Sequence, residues 1–316
     1  MNLHNNKKLF GETIRAASQY SGVRATLMEK DYWITFVLSQ LSESQYAGRT
    51  VFKGGTSLSK GYELIHRFSE DVDIAVIGGE NQSANEIKAL IRAAEKEMTA
   101  GLKEKNVEGV TSKGSRFRKA FFEYESIDRA NVSNTLIVEI NSFANPFPFQ
   151  LLSVKSFLHD FLARMGNEAM IEIFGLQPFR INVLAKEQTL MEKLVSLIRF
   201  SFDADPRESL ASKIRHFYDL YYLVNDPECA TFVKSVEFRK RFEELLQHDR
   251  DLFEVPSGWG DKSLHESPLF ANFDSLWKQL KDVYKRELSA LAFMPIPAEN
   301  QVAEQFKKLL KNIPLS

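Results

Sequence analysis

VFKGGTSLSKGYELIHRFSEDVDIAVI, residues 51–77, carries an apolar run into a glycine pair and ends on two aspartates inside a β-like run. Val51 and Phe52 lead to Gly54 and Gly55, Thr56 and Ser57 follow, and a helix-like segment continues to about residue 66. Asp71 and Asp73 are two positions apart, bracketed by Val72, Ile74, Ala75 and Val76. Period-two alternation places both carboxylates on one face of a strand and the apolar side chains on the other. Two acids held that close repel one another unless a cation joins them, so a divalent metal is the expected third party. Glycines that let a backbone come close, hydroxyls at a helix start and a carboxylate pair together suit a metal-bound triphosphate. There is no Walker loop, because no Gly-Lys-Ser/Thr follows the glycines at the required spacing.

Outward from this stretch the chain reads as two parts. Residues 11–41 carry apolar positions at helical spacing, interrupted at Ser21-Gly22. Strands are expected at 50–53 and 72–77, a helix at about 57–66, and a charged amphipathic helix over 84–105. RFRKAFFEYE (116–125) and TLIVEINSFA (135–144) read as strands, and NPFPF (145–149) as a loop, since its prolines defeat both ladder and helix. From Glu187 on, helices are expected at 187–201, 209–225, 231–248, 272–292 and 298–312. The expected class is α+β: a mixed α/β domain over 1–180, then a mostly helical domain over 181–316 that completes the active site.

Composition narrows the field. A length of 316 residues suits two modest domains or one large one. The formal net charge of −1 gives no global polyanion-binding signature, so nucleic acid would need a local patch. Lys103, Lys105, Lys113, Arg116, Arg118 and Lys119 against Glu104 and Glu108 form such a surplus, 6 − 2 = +4. The single cysteine, Cys229, excludes an intrachain disulfide framework and fits a reducing cytoplasm. No run approaches the ~18 apolar residues of a membrane span, so no membrane association is expected.

Phosphoryl transfer with metal assistance asks for a third carboxylate on a neighbouring strand. Glu139, alone among Leu136, Ile137, Val138 and Ile140, is the candidate, since a buried acid is costly unless paired or metal-bound. In the helical half, Lys193 on the apolar run TLMEKL could meet a triphosphate, or it could pair with an acid on another helix. Asp219 in RHFYDLYYL is the acid such a salt bridge would use, and from the residues alone both readings stay open.

FKGGTSLSKGYELIHRFSEDVDIAV, LIVEIN, TLMEKL and RHFYDLYYL, in this order, resemble the AbiEii-like nucleotidyltransferase toxins of type IV toxin–antitoxin and abortive-infection systems, within the DNA-polymerase-β-like superfamily. EKDYW at 29–33 looks like that family's lead-in. The resemblance covers about 25–225 and leaves the last ninety residues without a matching motif. It implies that Gly54, Gly55, Thr56, Ser57 and Ser69 contact the nucleotide and that Asp71, Asp73 and Glu139 hold Mg²⁺ (or Mn²⁺). It also implies that Lys193 meets the triphosphate and that Asp219 is an active-site acid. The superfamily usually has about ten residues between its Gly-Ser and its DxD, whereas Asp71 lies fourteen positions after Ser57. The implied reactants are an NTP and an RNA acceptor, foremost the tRNA 3′ end, with an antitoxin encoded nearby. The 103–119 patch, with Lys113, Arg116, Arg118 and Lys119, is the expected RNA contact. Alternatives are transfer to a protein or small-molecule hydroxyl, and a nucleotide-binding regulator without turnover.

Overall fold

The computed structural model describes residues 2–69, 71–79, 82–108, 110–114, 116–128 and 134–314. In chain order the first part holds α1 (Lys7–Ser21), α2 (Ala25–Glu43), β1 (Thr50–Lys53), α3 (Gly54–Lys60), β2 (Asp71–Val76) and α4 (Ala84–Met98). It continues with β3 (Lys103–Lys105), β4 (Ser112–Lys113), β5 (Phe117–Glu123), β6 (Thr135–Asn141) and β7 (Phe149–Val154). α5 (Phe157–Arg164), α6 (Glu168–Ile173) and β8 (Phe179–Leu184) complete it. The rest is helical: α7 (Lys186–Phe200), α8 (Pro206–Ser212), α9 (Ile214–Asn225), α10 (Pro227–Val233), α11 (Val236–Leu252), α12 (Pro268–Ala271), α13 (Phe273–Leu291) and α14 (Glu299–Leu310). This is the mixed α+β class the sequence implies.

The strands form one mixed sheet in the order β3-β5-β6-β2-β1-β8-β7, with β4 paired to β5. β1 and β2 run antiparallel, β2 and β6 parallel, and β5 and β6 antiparallel. Phe52, Val72, Ile74, Leu136, Val138 and Ile140 are fully buried and join the core built with Ile14, Val37, Leu38, Leu90 and Ile91 of α1, α2 and α4. The alternating acids therefore lie on the opposite face, which is the face that carries chemistry.

Two compact units result: residues 1–63 with 68–185, and residues 64–67 with 186–316. The expected changeover at 180/181 falls inside β8, whose pairing with β1 and β7 keeps it in the sheet. The short segment Leu64–Arg67 belongs to the helical unit, where Arg67 bridges Ala292 and the His66 carbonyl accepts from Phe293 N at 3.0 Å. This excursion takes up the extra length between Ser57 and Asp71. It also ends the expected helix early, so α3 stops at Lys60. The helix expected over 84–105 likewise stops at Met98, and after Gly101 (φ +88°) the chain turns into β3. The helix expected over 209–225 is two, α8 and α9, meeting at Lys213.

Inside the sheet-bearing unit a buried ion pair ties α2 to α3. Lys60 Nζ lies 2.5 Å from Asp31 Oδ1, both side chains are more than nine-tenths buried, and Asp31 Oδ2 accepts from Phe157 N at 2.8 Å. Asp31, part of the 29–33 motif, thus has a structural task. Lys60→Ala leaves a buried, uncompensated carboxylate and should lower stability by about 3–5 kcal/mol in urea unfolding, whereas Lys60→Met with Asp31→Leu should recover much of it. Additive losses in the double variant would contradict this account.

Candidate active site

β1 ends at Lys53 and passes directly into α3 at Gly54, whose φ of +77° is a conformation glycine adopts without penalty. A Cβ there would overlap the Asp73 carboxylate, coming within 2.9 Å of its carboxyl carbon. The glycine is needed so that the backbone can approach that acid. Thr56 Oγ1 donates to the Asp71 carbonyl at 2.6 Å and binds the turn to β2, while Ser57 Oγ donates to the Gly54 carbonyl at 2.9 Å and closes the turn on itself. Both residues are buried, and no side chain caps the first turn of α3. Its opening N–H groups therefore remain the donors suited to a phosphate, ahead of the Thr56 and Ser57 hydroxyls. Ser69 is half-buried, two residues before β2.

Cross-strand register then lines up four charged residues in one row. Lys53 stands opposite Asp73, Asp73 beside Glu139, and Glu139 opposite Lys119. Asp71 lies two positions along β2 on the same face. Lys119 Nζ is 2.7 Å from Glu139 Oε1. Burial alone would lower the Lys119 pKa, but its bond to Glu139 and the charges of Asp71 and Asp73 outweigh that and hold it above the ordinary lysine value. Glu139 was expected to ligate metal; here its carboxylate is engaged by Lys119. Among the described residues no three His, Cys, Asp or Glu side chains form a metal cage by themselves. An oxygen-only pair such as Asp71 and Asp73 still suits Mg²⁺, which is usually held by one or two carboxylates with substrate phosphates filling its shell.

The helical unit contains a second constellation. Lys193 of α7 reaches Asp219 Oδ2 of α9 at 2.8 Å, and Arg67 Nε and Nη2 approach the same carboxylate at 2.8 and 2.6 Å. Asp219 is fully buried, with Lys193 and Arg67 nearly so. Burial would raise the Asp219 pKa, but the Arg67 and Lys193 charges prevail and hold the carboxyl well below the usual carboxylate range. Asp219 is thus an anion at neutral pH. Next to it, burial and the Lys193 charge push the His216 pKa down, so its imidazole is neutral, and its buried Nδ1 has no hydrogen-bond partner in the structure. The interhelical salt bridge is present, and Arg67 makes it a triad. Arg67 was not singled out from the sequence, although it is an arginine in an apolar context four positions before Asp71.

The expected RNA patch does not stay whole. On β5 alternate residues face opposite ways, so Arg118 is buried against α4, where Nε meets Glu95 Oε2 at 2.8 Å and Nη2 also pairs with it, while Lys119 faces the acid row. Lys105 pairs with Glu123 at 2.9 Å, and Arg116 is exposed. Lys113 lies on β4, and its side chain is outside the described ones. The basic run is therefore divided: Arg118 is committed to the buried side and Lys119 to the acid row, while Lys103, Lys105 and Arg116 are exposed.

A glycine turn apposed to a DxD strand in a small mixed sheet, followed by a helical unit, defines a nucleotidyltransferase. The chain matches the family model described as nucleotidyl transferase AbiEii toxin, type IV TA system, over residues 37–313, and it belongs to that family. The match runs through the last ninety residues, which showed no motif, and begins after the 29–33 segment. Among solved structures it is similar to MenT4, a nucleotidyltransferase toxin from Mycobacterium tuberculosis H37Rv, with 18% identity and a TM-score of 0.58. The alignment covers 94% of this chain and 89% of that one, and at this identity the likeness concerns the fold. No curated protein matches the chain by sequence. No helix among the described residues is long and apolar enough to cross a membrane.

Two outcomes follow from these contacts. Gly54→Ala should abolish nucleotidyl transfer, because the new methyl displaces the Asp73 carboxylate; near-full activity would mean that the close approach is dispensable. Asp219→Ala, which leaves two buried cations facing each other, should cost about 3–5 kcal/mol in chemical denaturation, more than Lys193→Ala, which leaves the Arg67 pair intact. Because the folded-state pKa is depressed, the Asp219 contribution is complete above about pH 4 and falls away as pH drops below that. Asp219→Asn should remove that acid-side loss.

Proposed function

We propose that the chain transfers nucleotides from an NTP to the 3′ end of RNA, foremost tRNA, and so stops translation. The observation that carries nucleotidyl transfer is the apposition of the Gly54 turn to Asp73 on the strand that also bears Asp71. The acceptor reading rests on family membership. A cytoplasmic location and an antitoxin partner accompany this reading.

Asp71 and Asp73 would hold a divalent ion, which when bound supplies charge stabilisation at the phosphates. The uncapped first turn of α3 offers its N–H groups to phosphate oxygens, with Thr56 and Ser57 securing the turn. Lys119 keeps Glu139 in place beside Asp73. Within the helical unit, Arg67, Lys193 and Asp219 together carry one net positive charge, which suits an anionic group. The acceptor hydroxyl oxygen then bonds to the α-phosphorus and gives up its proton to water, while the bond from the α-phosphorus to the oxygen bridging to the β-phosphate breaks and pyrophosphate leaves with that electron pair.

The test incubates the protein with total tRNA and each labelled NTP in Mg²⁺. Label should enter the tRNA 3′ end with wild type, and Asp73→Ala should lose this at least a thousandfold while melting near the wild-type temperature. Label in protein or small molecules alone would overturn the RNA acceptor, and an active Asp73→Ala would overturn the site.

A further inference from the structure

Lys119 was read from sequence as one more cation in a basic run. The sheet register gives it another place, directly opposite Glu139, which itself stands beside Asp73. Its ammonium lies 2.7 Å from Glu139 Oε1, and roughly a quarter of each side chain is exposed (27% and 22%). The position is held from behind. Arg118, the next residue, is locked to Glu95 on the buried side of β5, so a one-residue slip that freed Lys119 would expel Arg118 from that pair. Lys119 is therefore fixed against the acid row.

We propose that Lys119 is the built-in second cation of this site. It is a positioning residue that holds Glu139 and supplies the positive charge a second divalent ion would bring, so that the metal is held by Asp71 and Asp73 without Glu139. The proposal rests on the nucleotidyl-transfer reading of Asp71 and Asp73. Its physical basis is local: a dication entering beside Glu139 would have to displace an ammonium already bonded to that carboxylate, and would meet its repulsion.

Mn²⁺ binding decides the matter, read as free Mn²⁺ by electron paramagnetic resonance on the full chain. Compared with wild type, Lys119→Met should bind one further Mn²⁺ per chain, or the same number about tenfold tighter, because Glu139 is released. Glu139→Gln should keep the wild-type number, with affinity changed no more than about threefold. Asp73→Asn should lose binding. An unchanged number and affinity in Lys119→Met, or loss of Mn²⁺ in Glu139→Gln, overturns the role of Lys119 while leaving the Asp71–Asp73 site standing. Wild-type binding in Asp73→Asn instead removes the metal site itself. Should Lys119→Met fail to fold, Lys119→Gln, closer in length and polarity, makes the same comparison.

Discussion

Like charges on one face of a sheet repel, and in this protein Asp71, Asp73 and Glu139 are brought together by backbone pairing that cannot relax. The register is set from the other face, where Val72, Ile74, Val138 and Ile140 are fully buried. Moving any acid away would therefore pull an apolar neighbour out of the core. The open face has to answer the charge locally, and it does so with Lys119 bonded to Glu139 and with Lys53 at the other end of the row, opposite Asp73. Gly54 belongs to the same solution, because any larger residue would push into the Asp73 carboxylate.

The helical unit handles buried charge differently. Asp219 takes two cations at once, Arg67 through two nitrogens and Lys193 through its ammonium. A buried pair seldom adds stability over an apolar replacement, but one partner without the other is costly, which makes such a triad specific in geometry. Arg67 comes from the same stretch as the aspartates, and Leu64–Arg67 packs with helices far along the chain. The longer spacing between Ser57 and Asp71 thus has a structural use, reaching α9 before the chain returns to the sheet.

Much of this was legible in the linear pattern. Alternation around Asp71 and Asp73, the glycine pair before them, the lone acid in LIVEIN and the lysine in TLMEKL all identified residues that fold into charged constellations. Less legible were features that depend on a partner far along the chain. Arg118 and Lys119 are adjacent basic residues, yet one ends buried on Glu95 and the other on Glu139, because strand alternation separates neighbours that charge counting adds together. β8 does alternate, Phe179, Ile181 and Val183 against Arg180 and Asn182, but β7 (FQLLSV) does not and draws its definition from pairing with β8.

By itself the sequence determined the class of chemistry, because glycine conformations and strand period are local properties. Tertiary structure decided the assignments of charge: that Glu139 answers to Lys119, that Asp219 is clamped by Arg67 as well as Lys193, and that Arg118 and Lys119 of the basic run go to different acids. The physical reason is that an ionisable side chain takes its role from the nearest opposite charge, and that neighbour is chosen by register and packing across the fold.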